Sequence, residues 1–161
     1  MKSVTYINRE LLRAVTAKAA AAPRRRMNYN FHQLEDPANR MLNAIEPESY
    51  IRPHRHRTPP KDEGFLILKG AGKCLIFDEN GKVTEVCTLD PLDGKWGVDI
   101  PAGIYHTILS LEPNTVFYEV KPGPYAPASD KDFAPWAPPE GTPEAAAYLE
   151  DLRGIALASQ G

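Results

Sequence analysis

The sequence predicts an all-β protein, a double-stranded β-helix of the jelly-roll type with a short helix at each end. Short runs rich in β-branched and aromatic residues follow one another between residues 40 and 121. Proline or glycine separates nearly all of them, at the regular spacing that favours a double-sheet jelly roll. The 161 residues are 42% hydrophobic, which suits a single domain with its own core.

The predicted barrel consists of eight strands, each with a turn signal after it. Within them, apolar residues such as Phe65 and Ile67 alternate with neighbours of other size or polarity, as a sheet with one inward face requires. The eight predicted strands cover residues 40–45, 49–54, 63–69, 73–77, 82–89, 96–100, 106–110 and 115–121.

The sequence predicts three parts within one domain. Residues 1–32 form an N-terminal helix and arm, residues 33–125 form the barrel, and residues 126–161 form a proline-rich tail and a C-terminal helix. The first helix should begin after Asn8, a good N-cap, and the following residues 27–33 are either an edge strand or an ordered loop.

The tail contains four prolines between residues 126 and 141, a density that argues against helix and sheet alike. Its Phe133 and Trp136 predict that it lies on the barrel, since a free linker rarely carries such residues. The second helix should begin after Thr142, with Pro143 in its first position, and end at Gly154.

Composition excludes several classes of protein. The formal net charge is -2 and charged residues make up 25%, so nothing indicates a nucleic-acid partner. We expect no signal peptide and no membrane span, and therefore a cytoplasmic location. Cys74 and Cys87 flank a predicted hairpin that sets Cys74 opposite Glu85; a bridge is geometrically conceivable, but we expect free thiols in a reducing cytoplasm.

Three of the four histidines fall in one constellation with a carboxylate. His54 and His56 stand two apart on a predicted strand and therefore project from the same face. A turn containing Pro59 and Pro60 can return Glu63 toward them, and His106 follows a second tight turn. Such ligands predict a site for one divalent metal ion with open positions: iron, manganese, nickel, cobalt or zinc.

The spacing of these residues resembles the two motifs of the cupin superfamily. The first motif is a His-x-His followed by a Glu and, six residues further, a Gly. The second is Pro-x-Gly-x-x-His. The gap from His56 to Glu63 is longer than usual, and Ser110 stands where an Asn is common. The matching residues are His54, His56, Glu63 and Gly70 in the first motif, and Pro101, Gly103 and His106 in the second.

Within this superfamily, the chain resembles the WbuC family of cupin-fold metalloproteins over about residues 24 to 141. That family occurs among bacterial surface-polysaccharide genes, and its reaction is unassigned. The resemblance implies the cupin fold and a bound metal. It rests on residues 28–32, 40–44, 53–56, 61–63, 121–125 and 130–138.

Two classes of function follow. The first is a metal-dependent enzyme, an oxygenase, isomerase or lyase, acting on a small polar molecule; the resemblance suggests a sugar or sugar nucleotide of surface-polysaccharide biosynthesis. The metal could polarise a bound oxygen, activate a bound water, or bind dioxygen if it is iron. The alternative is a non-catalytic metal- or sugar-binding barrel, because one fold hosts both kinds of function.

Basic residues near the metal motif predict an anionic ligand. Arg52 and Lys61 are the expected contacts, whereas strand alternation directs Arg55 and Arg57 away from the histidines. The cluster at residues 24–26 could join this basic rim; alternatively, all these charges simply solvate the surface. His32 has no partner histidine at ligand spacing, and we assign it a supporting or structural role.

Sheet edges predict a homodimer. Exposed edge strands must be covered or paired. The arm before residue 40 and the proline-rich tail are the candidate covers, either within the chain or across a partner.

Overall fold

Two antiparallel sheets of five strands form the body of the protein in a computed structural model that describes residues 4–126 and 130–159. Helix α1 (Arg9–Ala21) precedes the sheets and helix α2 (Pro143–Ala158) follows them. In the first sheet the strand order is β1-β2-β9-β4-β7, and in the second it is β10-β3-β8-β5-β6. The strands are β1 (Arg26–Asn30), β2 (Ala38–Ile45), β3 (His54–Arg55), β4 (Glu63–Lys69), β5 (Gly72–Phe77), β6 (Val83–Leu89), β7 (Gly97–Ile100), β8 (Tyr105–Ser110), β9 (Thr115–Pro122) and β10 (Asp132–Phe133).

This architecture confirms the predicted jelly roll, with a different boundary at β3. Residues 49–54 were expected to form one strand, but only His54 and Arg55 join the ladder. The reason is that Pro53 has no N–H to donate. The carbonyl of Ile51 instead accepts from the Thr107 hydroxyl, and that of Pro53 accepts from the amide of Ala134.

The arm and the tail each contribute a strand. Of residues 27–33, left open between strand and loop, residues 27–30 belong to β1, which pairs with β2, and residues 31–33 form a loop. The tail forms β10 against β3, contrary to the expectation that its prolines exclude a sheet. The short stretch from Asp132 to Ala134 is free of proline, so its amides can pair. The two candidate covers therefore extend the sheets within the chain.

The hydrophobic core has three layers. Phe65 and Phe117 from one sheet meet Cys74 and Ile108 from the other in the middle. Helix α1 covers the part of the outer face of the first sheet formed by β1, β2 and the start of β9, and helix α2 with the tail covers the outer face of the second sheet. The Trp136 ring lies 5.0 Å from that of Phe77, centroid to centroid, which confirms that the tail lies on the barrel.

The two helices begin at the predicted caps, but α2 extends past its predicted end. Asn8 accepts from the amide of Leu11 at 2.9 Å, and Thr142 accepts from that of Ala145 at 3.2 Å. The prediction that Gly154 ends α2 is wrong, because the helix continues to Ala158. Ala156 is fully buried in the core, and its burial offsets the roughly 1 kcal/mol that a helical glycine costs.

The β5–β6 hairpin places Cys74 directly opposite Cys87, not opposite Glu85 as the sequence suggested. The register shifts between Ile76 and Phe77, where an irregularity moves the pairing by one position. Both cysteines are free thiols. Burial raises the pKa of Cys87 to about 11, so its thiolate is scarce at neutral pH.

The homodimer stays a prediction, and the outer face of the first sheet is where we would test it. Leu66, Leu68 and Val120 there are 52%, 38% and 40% exposed. We expect a dimeric mass by light scattering, and a shift toward monomer for Leu66→Lys, because a buried unpaired charge opposes association. Leu157→Lys on α2 is the control. A monomeric wild type at high concentration would refute the prediction.

No described helix is both long and apolar enough to cross a membrane.

Candidate metal centre

Both sheets bring side chains to one end of the barrel. On the second sheet, β3 pairs with β8 so that His54 faces His106, and His56 follows directly after β3. On the first sheet, Glu63 is the first residue of β4. The four predicted metal ligands therefore meet although as many as 52 residues separate them along the chain (residues 54 to 106).

The four side chains offer one ligand atom each, and these atoms all lie within 4.8 Å of one another. All four residues are buried. Glu63 Oε2 lies 3.2 Å from His56 Nε2 and 2.9 Å from His106 Nε2. A single ion of ordinary coordination distance could contact all four atoms after small side-chain movements.

The outer nitrogen of each imidazole is already engaged. Nδ1 of His54 lies 3.0 Å from the Arg52 carbonyl, and Nδ1 of His106 lies 2.9 Å from the Ile104 carbonyl. Nδ1 of His56 contacts the Asp130 carbonyl. A carbonyl only accepts, so these contacts assign the proton to Nδ1 and direct the lone pair of each Nε2 toward the centre.

Four hydrogen-bond acceptor atoms thus converge on one point. They repel one another electrostatically unless a cation or a proton lies between them. The donor set of three imidazoles and one carboxylate fits a divalent first-row metal. Burial lowers the pKa of His54 well below its usual value, and the Lys131 charge lowers it further, so His54 is neutral. A neutral imidazole is the form that binds metal.

Glu63 is ionised although it is buried. Burial by itself raises the pKa of its carboxyl, but the adjacent imidazoles of His106 and His56 and the charge of Lys121 outweigh burial and hold it well below the usual value. The Glu63 carboxylate is therefore available as a ligand.

Lys121 anchors a buried charge network behind the cluster. Its Nζ lies 3.3 Å from Glu63 Oε1, 3.1 Å from Glu119 Oε1 and 3.1 Å from Asp130 Oδ2. Lys61 joins from the other side, with Nζ 3.0 Å from Asp130 Oδ1 and 3.0 Å from the Pro124 carbonyl. The structure thus buries Lys61 in an ion pair, outside the cavity lining; its contact with a ligand stays a prediction.

A cavity of about 610 Å³ leads to the cluster. His54, Glu63 and His106 lie in its wall, so a metal held there would be accessible from the cavity. Polar side chains from β1, β2 and β9 continue the lining: Asn28, Asn30, Asn43, Glu119 and Lys121. The site is therefore open on one side, as a metal site that binds a further molecule requires.

The basic residues named from sequence differ in their surroundings. Arg52 lines the cavity. Arg55 does not line the cavity, in agreement with the prediction that strand alternation directs it away from the histidines. It pairs with Asp132 at 2.8 Å and with Glu79 at 2.7 Å. Arg24 and Arg26 both bind Glu140, whose pKa they lower to about 2 against the opposing effect of burial.

Several residues of the site gave little signal in the sequence. Glu119 and Lys121 alternate with apolar residues on β9, and this pattern of charges could have marked an inward polar face. Asp130 and Lys131 lie in the tail, and only the strand pairing of β10 brings them to the site. His32 is buried beside the cavity, where its Nδ1 accepts from the Arg40 amide at 2.9 Å.

Glu63→Gln should weaken metal binding by about 10- to 100-fold while leaving the three imidazoles in place. An amide keeps the shape but loses the charge, and it removes the negative charge between the Lys121 ammonium and the metal. Competition with a chelator of known affinity measures the change. Unaltered affinity would show that the carboxylate is not a ligand.

Fold and site together define the class: this is a cupin-fold protein with a candidate metal centre at the end of its barrel. More narrowly, the chain belongs to the family described as a domain of unknown function (DUF6016), whose model matches residues 7–89. A comparison with curated proteins finds no match.

Solved structures share the fold. The capsular polysaccharide assembling protein CapF from Staphylococcus aureus matches with a TM-score of 0.54 and 24% identity, over 66% of this chain and 28% of CapF. CapF with the inhibitor 3-isopropenyl-tropolone matches with a TM-score of 0.57 and 24% identity, over 70% of this chain and 32% of that one. The conserved protein SPY1581, of unknown function, from Streptococcus pyogenes matches with a TM-score of 0.50 and 14% identity. The match covers 78% of this chain and 93% of SPY1581. The chain thus spans less than a third of CapF.

Proposed function

We propose that this protein is a metal-dependent enzyme acting on a small polar molecule bound in the cavity. The observation that carries the proposal is the convergence of three inward Nε2 atoms and one carboxylate in the wall of a cavity of about 610 Å³. A cavity of this volume is in the range that small-molecule sites occupy.

One divalent ion of iron, manganese, nickel, cobalt or zinc would be held by the Nε2 atoms of His54, His56 and His106 and by Glu63. When bound, such an ion supplies a Lewis acid for an oxygen of the substrate or of water. The backbone carbonyls that accept from each Nδ1 keep the imidazoles oriented toward it.

Glu119 is the residue of this chain best suited to hold a proton beside the substrate. It lines the cavity, and burial together with the charge of Glu63 raises its pKa to about 7. A carboxyl with a pKa near the working pH can both accept and donate a proton. Lys121 and Asn43 fix its position, since each contacts one of its carboxylate oxygens.

The substrate we propose is a sugar or sugar nucleotide linked to surface-polysaccharide biosynthesis. The resemblance to the WbuC family supports this class of substrate. CapF, which shares the fold, is a capsular polysaccharide assembling protein, and this points the same way. We also propose a cytoplasmic location, which suits two free cysteines that face each other.

Elemental analysis of protein purified without added metal tests the metal, and a screen of nucleotide sugars with the metal found tests the reaction. We expect one metal ion per chain and turnover that requires it. Protein without metal that takes up none of the five metals would refute the proposal. Stoichiometric metal with binding but no turnover of any sugar would favour the non-catalytic metal- or sugar-binding barrel.

A further inference from the structure

We propose that Arg52 and Lys131 form an oxyanion subsite beside the metal centre, which holds a carboxylate or phosphate group of the ligand. The subsite rests on the proposed function, since it assigns a charge to the molecule that this cavity binds. It keeps Arg52 from the pair expected from sequence and adds Lys131; the contact of Lys61, which is buried in its ion pair with Asp130, stays a separate prediction.

Arg52 lines the cavity without a carboxylate partner among residues 4–126 and 130–159. Its Nη2 donates to the Ala134 carbonyl at 3.0 Å, and its Cζ lies 5.2 Å from the centroid of the Phe133 ring. Its Nε is buried and has no acceptor among the same residues. A guanidinium in a cavity wall whose charge no carboxylate offsets is suited to bind an anionic group of a ligand.

Lys131 is the second cation without a partner. Its side chain lines the cavity, and the residue is exposed to solvent. No carboxylate of the described residues lies within ion-pair distance of its ammonium.

The other cations of the cavity wall have acidic partners. Arg24 and Arg26 share the carboxylate of Glu140. Lys121 contacts three acidic side chains. Among the described lining residues, Arg52 and Lys131 are therefore the lysines and arginines without an acidic partner.

Strand pairing places these two cations on either side of His54. β10 lies against β3, with Phe133 opposite His54 and its ring 6.2 Å from the imidazole, centroid to centroid. Because the two strands are antiparallel, Lys131 lies beyond this pair toward His56, whereas Arg52 lies beyond it in the opposite direction. An oxyanion between them would lie next to His54, with the asparagines of β1 and β2 left for the neutral part of the ligand.

Calorimetric titration of metal-loaded protein with inorganic phosphate and, separately, with acetate tests the subsite and distinguishes the two anions. We expect saturable binding of at least one anion, weakened about tenfold or more by Lys131→Ala and by Arg52→Ala, since each removes a charge-assisted hydrogen bond. Lys131→Arg should restore most of the affinity. Lys69→Ala, which removes an exposed charge of β4 outside the cavity, is the matched control and should change nothing.

Two results would overturn the proposal: no saturable binding of either anion, or binding that Lys131→Ala leaves unchanged. Metal content is measured on the same samples. Absence of metal from the wild type would refute the proposed function, whereas normal metal content without Lys131-dependent anion binding would refute the subsite alone.

Discussion

Replacing His54 and His56 together with alanine leaves a folded protein that no longer retains metal. The double variant removes two of the three inward Nε2 atoms, leaving only His106 and Glu63. Loss of a group that merely orients a ligand costs about 10- to 100-fold in metal affinity, so loss of two direct ligands should cost at least about 100-fold. Elemental analysis after gel filtration measures the retained metal, and circular dichroism measures the fold.

His32→Ala is the matched control, because His32 is also buried and also lines the cavity but lies outside the cluster. We expect His32→Ala to retain a full complement of metal. The fold of the double variant should persist, since the core between the sheets consists of apolar side chains from seven strands and does not include these histidines. Full metal occupancy in the double variant would rule out the assigned ligands.

The candidate metal cluster could be predicted from sequence because local geometry carries most of it. Alternation along a strand sets His54 beside His56, and turns before Glu63 and His106 direct them to the same end. Lys131 could not be found in this way. It reaches the cavity only through the pairing of β10 with β3, a contact between segments that are 77 residues apart (55 to 132).

Lys61 is a residue whose surroundings in the structure the sequence did not indicate. Its position in a turn beside the metal motif suggested a side chain at the mouth, but Asp130 from the tail holds its ammonium. Burial of charge depends on which distant residue arrives to neutralise it, and spacing along the chain contains no such information. The fold was more predictable, because strand alternation and turn residues are local. The predicted fold differs from the structure at β3, at β10 and in the β5–β6 hairpin. At these places, the partner strand determines the register and whether a proline-containing segment can pair.

Lys121→Met should destabilise the protein strongly although it spares the metal ligands. Burial by itself lowers the pKa of Lys121, but the charges of Glu119, Glu63 and Asp130 outweigh it and raise the pKa, so the ammonium stays charged. Methionine would leave three carboxylates close together without their cation. Removing one partner of a buried ion pair costs about 3–5 kcal/mol of unfolding free energy.

The loss should depend on pH, in a direction that follows from proton linkage. Without Lys121, the pKa values of the three carboxyls rise in the folded state, so the folded variant binds protons that the unfolded chain releases. The destabilisation should therefore be larger at about pH 8 than at about pH 5, where protonation relieves the repulsion. Urea unfolding of metal-free wild type and variant at both pH values measures the difference. Lys69→Met, an exposed lysine of β4, is the control and should stay within about 0.5 kcal/mol of wild type. A loss below about 1 kcal/mol, or an equal loss at both pH values, would show that Lys121 does not hold the carboxylates together.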